Sequence, residues 1–298
     1  MRCIGLLLLA ASLWGADLDR DGLDDALEQK LLRQFLPVFL VSGGECDVAP
    51  AEFVAGAAEP RVAARNGTIY GQVLRRDAAR VEVHYYHLWG RDCGARGHDL
   101  DAEHVSALVR LDGVLENGTE ARAEFWYAAA HEDTLCSSGS AARAVTVEAE
   151  TRGPKVWISR GKHGSFLSAM ACRKGCGGDK CEGGKALAVA GLVNIGEPGA
   201  AMNGATWAGS VKWPLRAKMG PDFDEALVGR LAASDGVLEL RGVLLPAQEM
   251  ISGGGRAVTE VGGAQKRTTG AVVDAEGRTE KAISGSKKAV KDWLKKRF

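Results

Sequence analysis

The segment DLDRDGLDDALE, which begins at Asp17, places oxygen-bearing side chains at the spacing of a calcium-binding loop. Carboxylates stand at positions 1, 3, 5, 9 and 12, and a glycine at position 6 permits the sharp turn. With a backbone carbonyl from position 7, the segment offers the oxygens that Ca²⁺ requires. The expected ligands are Asp17, Asp19, Asp21, Leu23, Asp25 and Glu28. The alternative is a solvated acidic segment in which an aspartate caps the next helix.

A second set of imidazoles and carboxylates lies in GRDCGARGHDLDAEHV, residues 90–105. Asp101 and Glu103 are two residues apart, so an extended strand points them to the same side, and His98 lies on the preceding loop. His104 has the opposite parity and is expected outside the site, as a partner of a ligand or a residue of the other sheet face. Such a mixed set suits a divalent ion: Ca²⁺, Mg²⁺, Mn²⁺ or Zn²⁺. The expected ligands of this second site are Asp92, His98, Asp101 and Glu103.

All six histidines fall between positions 84 and 163, and two of them, at 131 and 163, follow predicted strands. If the protein is an enzyme, this clustering favours a metal-dependent hydrolase in which a metal activates water. The candidate catalytic residues are Glu103, His104, His131 and His163. His84 and His87, inside an aromatic strand, are interpreted as core histidines. A Ser-His-Asp site at Ser165 has little support because no GxSxG sequence occurs.

The elements that would position these residues are mostly strands. Between residues 66 and 160, the segments GTIYGQVL, RVEVHYYHLW, EHVSALVRL, EARAEFWYAAA, RAVTVEAE and KVWIS alternate or carry β-branched and aromatic residues. Leu27, Leu31 and Phe35 repeat at helical spacing in an N-terminal helix that Pro37 ends, and DFDEALVGRLAAS predicts another helix. The fold expected is mainly β: an antiparallel β-sandwich with a short N-terminal calcium loop-helix and a few peripheral helices.

The first sixteen residues resemble a secretory signal, with one arginine, an apolar run and small residues at the end. Six cysteines remain after its removal, which favours disulfides of undetermined pairing in a secreted or periplasmic chain. The alternative for Cys172, Cys176 and Cys181 is a zinc knuckle. The NGT triplets at Asn66 and Asn117 fit turns better than glycosylation sites.

Charge is unevenly distributed, although the net charge is zero. Residues 252–298 hold eleven Lys and Arg against five Asp and Glu, so the preceding body is acidic and has no nucleic-acid-binding character. The chain divides into a signal peptide (1–16), a calcium loop and helix (17–40), a disulfide-bonded β-sandwich (41–250) and a flexible basic tail (251–298). The end of the tail is a candidate for peripheral membrane contact, with a solvated end as the alternative.

The segment GHDLDAEHV resembles the GHRHDWE heptapeptide of the necrosis- and ethylene-inducing-peptide-like proteins. Gly97, His98, Asp101 and Glu103 match in register, whereas Leu100 and Ala102 replace the second His and the Trp. In that family the heptapeptide and an upstream Asp hold a divalent ion in a β-sandwich that engages plant sphingolipid headgroups. By this resemblance His98, Asp101 and Glu103 are ligands and Asp92 is the upstream Asp.

A longer stretch, roughly residues 29–225, is similar to the vacuolar-protein-sorting-sixty-two-like family. The segments that carry this likeness are LLRQFLPVF, HYYHLWGRDCGARGHDLDAEHVSALV, FWYAAAH, VWISRGKHGSF, LVNIGEPG and WPLRAKMGPDF. The N-terminal loop resembles the single calcium loops of dockerin and thrombospondin-type repeats, which implies a structural role for the ion.

We therefore expect a secreted calcium-binding protein whose His/Asp/Glu divalent site binds lipid or glycan headgroups and perturbs membranes. Two alternatives stay open: a secreted metal-dependent hydrolase, and a calcium-stabilised structural surface protein. An enzyme is the less favoured interpretation. The sequence does not determine the ligand, the identity of the second metal or the oligomeric state.

Overall fold

A computed structural model describes residues 16–241, apart from 48, 95–96, 113–119, 133–136, 176–177, 183 and 198. The chain divides into two units, Met1–Ser252 and Gly253–Phe298, and the second lies outside the described residues. The predicted basic tail, residues 251–298, and residues 1–15 of the predicted signal lie outside the described residues. Among the described residues, no helix is long and apolar enough to cross a membrane.

The strands form a seven-stranded sheet, a four-stranded sheet and one hairpin. The strands are β1 (Val38–Val41), β2 (Glu52–Phe53), β3 (Val62–Ala64), β4 (Thr68–Arg75), β5 (Arg80–Arg91), β6 (Asp99–Asp112), β7 (Glu120–Ala130), β8 (Ser138–Arg143), β9 (Lys155–Ile158), β10 (Ser165–Phe166), β11 (Lys185–Ala186), β12 (Gly191–Asn194) and β13 (Leu238–Arg241). The large sheet has the order β12-β4-β5-β6-β7-β8-β13, the smaller β10-β9-β1-β11, and β2 pairs with β3. Pairing is antiparallel except between β12 and β4 and between β1 and β9.

The two sheets share one hydrophobic core, so the predicted mainly β, sandwich-like fold is confirmed. Val83 and Tyr85 of β5 pack in this core with Phe39 of β1 and Val156 of β9. We call this side of the seven-stranded sheet its inner face. Helix α1 (Asp25–Gln34) packs in the same core through three buried side chains: Leu31, Leu32 and Phe35. The helix therefore follows the predicted apolar spacing.

The opposite, outer face of the seven-stranded sheet is also covered. Tyr86 and Leu88 of β5 pack there against Trp207 and Trp213, of which the first lies in a short 3-10 turn and the second directly before another. The 3-10 turns of this segment are Met202–Gly204, Thr206–Gly209 and Pro214–Lys218, and helix α3 (Glu225–Ala232) covers the neighbouring part of the face. Because both faces are covered, β5 and β6 are buried almost throughout, and their polar side chains lie in the protein interior.

The structure corrects one predicted strand. The segment RAVTVEAE, residues 143–150, was expected to be extended because it alternates and carries β-branched residues. Strand β8 instead ends at Arg143, and Ala144–Val147 form a 3-10 turn. Glu148 closes the turn with a left-handed φ of 54°, and Ala149 accepts a hydrogen bond from the Trp126 indole. This tertiary contact overrides the local β propensity.

Two disulfides join described cysteines, as the cysteine count predicted. Cys46 is bonded to Cys93, and Cys172 of α2 (Ala169–Arg173) is bonded to Cys181. The second bond excludes the zinc-knuckle alternative. Cys136 and Cys176 lie outside the described residues.

Candidate functional site

The acidic residues of the N-terminal loop converge. Asp19, Asp21 and Glu28 each offer a ligand atom within 4.8 Å of the others, and so do Asp17, Asp19 and Asp25. Gly22 takes a left-handed φ of 86°, as the loop pattern requires. The structure thus places the five predicted carboxylates in two groups that share Asp19. Leu23, the sixth predicted residue, is buried, and its N–H donates to Asp21 Oδ1 at 2.7 Å.

Some oxygens of these carboxylates are buried and have no hydrogen-bond donor among the described residues. Glu28 is 0% exposed, and burial, with the charges of Asp19 and Asp21, raises its pKa to about 9. One of its oxygens accepts from Asn194 Nδ2 at 3.1 Å, whereas Oε1 has no hydrogen-bond partner among the described residues. Asp19 Oδ1 and Asp21 Oδ2 are likewise buried and have no hydrogen-bond partner among the described residues. Unpaired buried anions are costly, so the donor set fits a bound hard cation.

Two residues near this loop were not predicted from the sequence. Asn194 ends β12 and donates to Glu28, and the Glu197 N–H donates to Asp19 Oδ2 at 3.2 Å. Burial, together with Asp21 and Asp19, raises the pKa of Glu197 to about 7. No local sequence pattern marks either residue as part of the site, because the pairing of β12 with β4 brings this segment to the loop.

The second predicted site is assembled in part. Asp92, His98 and Asp101 offer ligand atoms within 4.8 Å of one another where β5 passes into β6. His98 is exposed, Asp92 is half-buried and Asp101 is buried, so this cluster opens to solvent on one side. Glu103 faces the same side as Asp101, as its parity predicted, but the structure does not place it in this group of three.

One oxygen of Asp101 is already engaged by His163. The imidazole Nδ1 lies 2.9 Å from Asp101 Oδ2, and the ring stacks on Trp89 with centroids 4.0 Å apart. The second imidazole nitrogen lies 3.9 Å from Glu45 Oε2. His163 therefore orients the Asp101 carboxylate, which leaves the other oxygen for the exposed side of the cluster.

Glu103 lies deeper and contacts the residues that follow β7. Its Oε1 accepts from the His131 N–H at 3.3 Å, and its Oε2 lies 3.9 Å from Lys218 Nζ. Burial raises the pKa of Glu103 to about 7; Asp101 and Glu132 add to the rise, while Lys218 and His131 oppose it. A carboxyl group with such a pKa can exchange protons near neutral pH.

His131 is held by an aspartate that the sequence analysis did not identify. Its Nε2 lies 2.8 Å from Asp179 Oδ1, which also accepts from Ser159 Oγ at 2.6 Å. Burial disfavours the charged imidazole, but Asp179 and Glu103 outweigh it and raise the pKa of His131. Leu100, His131 and His163 all have left-handed φ values, and backbone strain of this kind concentrates at functional sites.

The hydrogen bonds of His87 argue against a serine nucleophile. The indole N–H of Trp89 donates to His87 Nδ1 at 2.8 Å, so this nitrogen carries no proton. Burial lowers the pKa of His87, and the neutral ring must therefore carry its proton on Nε2, 2.7 Å from Ser165 Oγ. The imidazole donates to Ser165 and does not act as its base. This agrees with the interpretation of His87 as a core histidine.

His104 belongs to the outer face, as its parity predicted. It is paired across the ladder with Tyr86, and its two nitrogens lie 3.0 Å from Asp222 Oδ2 and 3.1 Å from Glu132 Oε2. Burial opposes protonation, but Glu132 and Asp222 raise the pKa of His104 to about 10. Lys218 Nζ lies 3.2 Å from Glu132 Oε2, which completes a buried charged network. His104 cannot share a site with the Asp92–His98–Asp101 cluster on the other face.

Comparison of the chain with protein-family models, curated proteins and solved structures finds no match.

Proposed function

We propose that the protein is an exported calcium-binding protein whose ion lies in the loop of residues 17–28. The observation that carries this proposal is the buried Glu28 carboxylate, which lies close to Asp19 and Asp21 and has one oxygen with no donor among the described residues. An all-oxygen donor set favours Ca²⁺ over softer metals. Export to the periplasm or the cell exterior is supported by the two disulfides and by the signal-like N-terminal sequence.

In this proposal, bound calcium stabilises the folded protein. The loop contacts helix α1 through Glu28 and the end of β12 through Asn194 and Glu197. A cation among these groups neutralises the carboxylates and ties three separate segments together. The ion therefore adds its binding free energy to that of folding.

Isothermal titration calorimetry on the full-length chain tests calcium binding. We expect one Ca²⁺ to bind at the loop with a Kd of about 1 mM or tighter, the range of extracellular modules. Asp21→Asn should weaken this binding, whereas Asp99→Asn, which changes a carboxylate outside the loop, should leave it unchanged. Absence of calcium binding to the wild-type chain would refute the proposal.

We further propose that the Asp92–His98–Asp101 cluster binds a second divalent ion, Ca²⁺, Mg²⁺, Mn²⁺ or Zn²⁺, and through it lipid or glycan headgroups. The support is the cluster's composition together with the exposure of His98. A metal held from one side keeps coordination positions for hydroxyl or phosphate oxygens. Membrane perturbation would follow if headgroup binding brings the protein onto the bilayer.

Vesicle co-sedimentation and dye release test this second proposal, with anionic and glycosylated lipids and each divalent ion. We expect metal-dependent binding that His98→Gln abolishes. Asp99→Asn is the matched control, because Asp99 is an exposed neighbour outside the group of three. Binding that is equal in both variants, or independent of metal, would contradict the proposal.

A metal-dependent hydrolase is the second candidate function, and one observation favours it: Glu103 lies beside Asp101 and His131 with a pKa raised to about 7 by burial. A catalyst would lose turnover on Glu103→Gln, His131→Ala or His163→Ala while still binding metal. The assay is hydrolysis of ester and phosphodiester model substrates with added divalent ions. Unchanged turnover in all three variants would remove this candidate.

A further inference from the structure

Two histidines and one aspartate converge on the outer face of the seven-stranded sheet. His84 of β5 and His104 of β6 come from adjacent strands, and Asp222 lies just before α3. One ligand atom from each lies within 4.8 Å of the others. All three side chains are buried, with exposed fractions of 0%, 1% and 4%.

The separations can be compared with those of a tetrahedral metal site. Metal–nitrogen and metal–oxygen bonds of about 2.0–2.2 Å place tetrahedral ligand atoms about 3.3–3.6 Å apart. His84 Nδ1 lies 3.6 Å from Asp222 Oδ2, within this range. His104 Nε2 lies 3.0 Å from the same oxygen, which is a hydrogen-bond distance that a bound ion would lengthen. The fourth position falls to a water molecule or to Ser106, whose hydroxyl donates to Asp222 Oδ2.

Each histidine also has a carboxylate behind it. The far nitrogen of His84 lies 3.2 Å from Glu82 Oε2, and the far nitrogen of His104 lies 3.1 Å from Glu132 Oε2. Glu82 is itself fixed, because it accepts from the Asp222 N–H at 2.7 Å. Metal-binding histidines almost always donate their second N–H to such a group, which fixes the ring and raises its basicity.

An unpartnered atom points to a ligand. His84 Nδ1 is fully buried and has no hydrogen-bond partner among the described residues. Its other nitrogen is occupied by Glu82, so Nδ1 is the atom that faces Asp222. A buried imidazole nitrogen is seldom left in this state unless an ion or water occupies the position.

The charges are consistent with a divalent cation. Four buried carboxylates belong to the network, and two basic side chains, Arg76 and Lys218, pair with them. The carboxylates are Glu82, Glu103, Glu132 and Asp222. Among the described residues, the network thus holds more carboxyl groups than basic side chains, and a bound divalent cation would offset the excess negative charge.

We propose that His84, His104 and Asp222 bind one divalent transition-metal ion, with Zn²⁺ as the expected occupant. Imidazole ligands distinguish this site from the all-oxygen calcium loop. The ion joins β5 and β6 to the segment that leads into α3 and so fastens the outer covering layer to the sheet. This site is independent of the functions proposed above.

Metal analysis of the full-length protein after equilibration with Zn²⁺ and gel filtration tests the proposal. In the His98→Gln chain, which lacks a ligand of the exposed cluster, we expect about one equivalent of Zn²⁺ to be retained in the presence of excess Ca²⁺. Asp222→Asn and His84→Gln should each weaken Zn²⁺ binding by more than tenfold, and Glu82→Gln by about 10- to 100-fold. One control should retain the ion in the same background: His87→Gln, on the inner face of the same strand.

Spectroscopy of the wild-type chain keeps the proposal testable if the variants fail to fold. Co²⁺ in place of Zn²⁺ should give the intense visible bands of a four-coordinate site, with no thiolate charge transfer. Retention of less than a tenth of an equivalent by the wild-type chain would overturn the proposal. Loss of Zn²⁺ in His98→Gln with retention in His84→Gln would also overturn it.

Discussion

Replacing Glu28 by glutamine isolates the calcium response from the stability of the calcium-free protein. The carboxyl group is fully buried, and burial raises its pKa to about 9, so without calcium it is neutral at pH 7. Glutamine is also neutral and similar in size, and its carbonyl can accept the bond that Asn194 now donates to the carboxyl. The calcium-free stability should therefore change little. The bidentate carboxylate that closes the calcium loop is lost.

The size of the calcium effect follows from mass action. An extracellular-type loop with a Kd of about 0.1–1 mM, at about 10 mM Ca²⁺, stabilises the folded state by about 1.4–2.7 kcal/mol. For a domain of this size each kcal/mol raises Tm by about 2–4 °C. Calcium should thus raise the wild-type Tm by about 3–11 °C. The Glu28→Gln protein should respond by less than about 1 °C, because a site that does not bind contributes nothing.

Asp24→Ala is the matched control within the same segment. Asp24 caps α1, accepting from the N–H groups of Ala26 and Leu27, and lies outside both carboxylate groups of the loop. Its loss should cost about 1 kcal/mol with and without calcium. The calcium-induced rise in Tm should persist. Scanning calorimetry at pH 7, in calcium and in EGTA, measures both variants. A full calcium response in Glu28→Gln, or its loss in Asp24→Ala, would refute the assignment.

Two further predictions concern the sandwich itself. His131 has a pKa raised by Asp179, so their contact stabilises the fold fully below about pH 6.5 and loses strength as pH rises through the folded-state pKa. His131→Gln should cost about 1.5–3 kcal/mol at pH 5.5 and less at pH 9; urea unfolding across this range checks it, and a constant difference would contradict it. Gly71→Ala would place a methyl group 2.9 Å from Leu32 Cδ1 and cost about 1–3 kcal/mol. In a double-mutant cycle, Gly71→Ala should cost less in the Leu32→Ala background, because the side chain that the new methyl group meets has been removed. Strictly additive changes in the free energy of unfolding would argue against the contact.

The sequence pattern predicted the strands well where the side-chain period alone decides the outcome. Strand β7 covers the segment expected to be extended, Glu120–Ala130, and Asp101 and Glu103 share a face. It failed at Ala144–Val147, where a contact made by Trp126 decides the backbone conformation. It also gave no indication that the outer face is covered, because the 3-10 turns that cover it lack a periodic apolar pattern.

The candidate sites also differ in how far the sequence alone predicts them. The calcium loop is predictable because its carboxylates stand within one continuous segment of fixed spacing. Asn194 and Asp222 were missed because strand pairing and helix packing bring them to their partners from far along the chain. Asp222 is 118 residues from His104, and no local spacing encodes that separation.

Strand β6 separates two chemically different environments by parity alone. Asp101 points to the inner face, where His163 engages it, and His104 points to the outer face toward Asp222. Glu103 also points inward, yet its carboxylate lies 3.9 Å from Lys218 of the outer layer. Glu103 lies just beyond the end of the β6–β7 ladder, whose pairing begins at Val105. A substitution at Glu103 would therefore disturb both faces at once. Asp101 and His104 are the positions at which the exposed cluster and the buried histidine site can be perturbed separately.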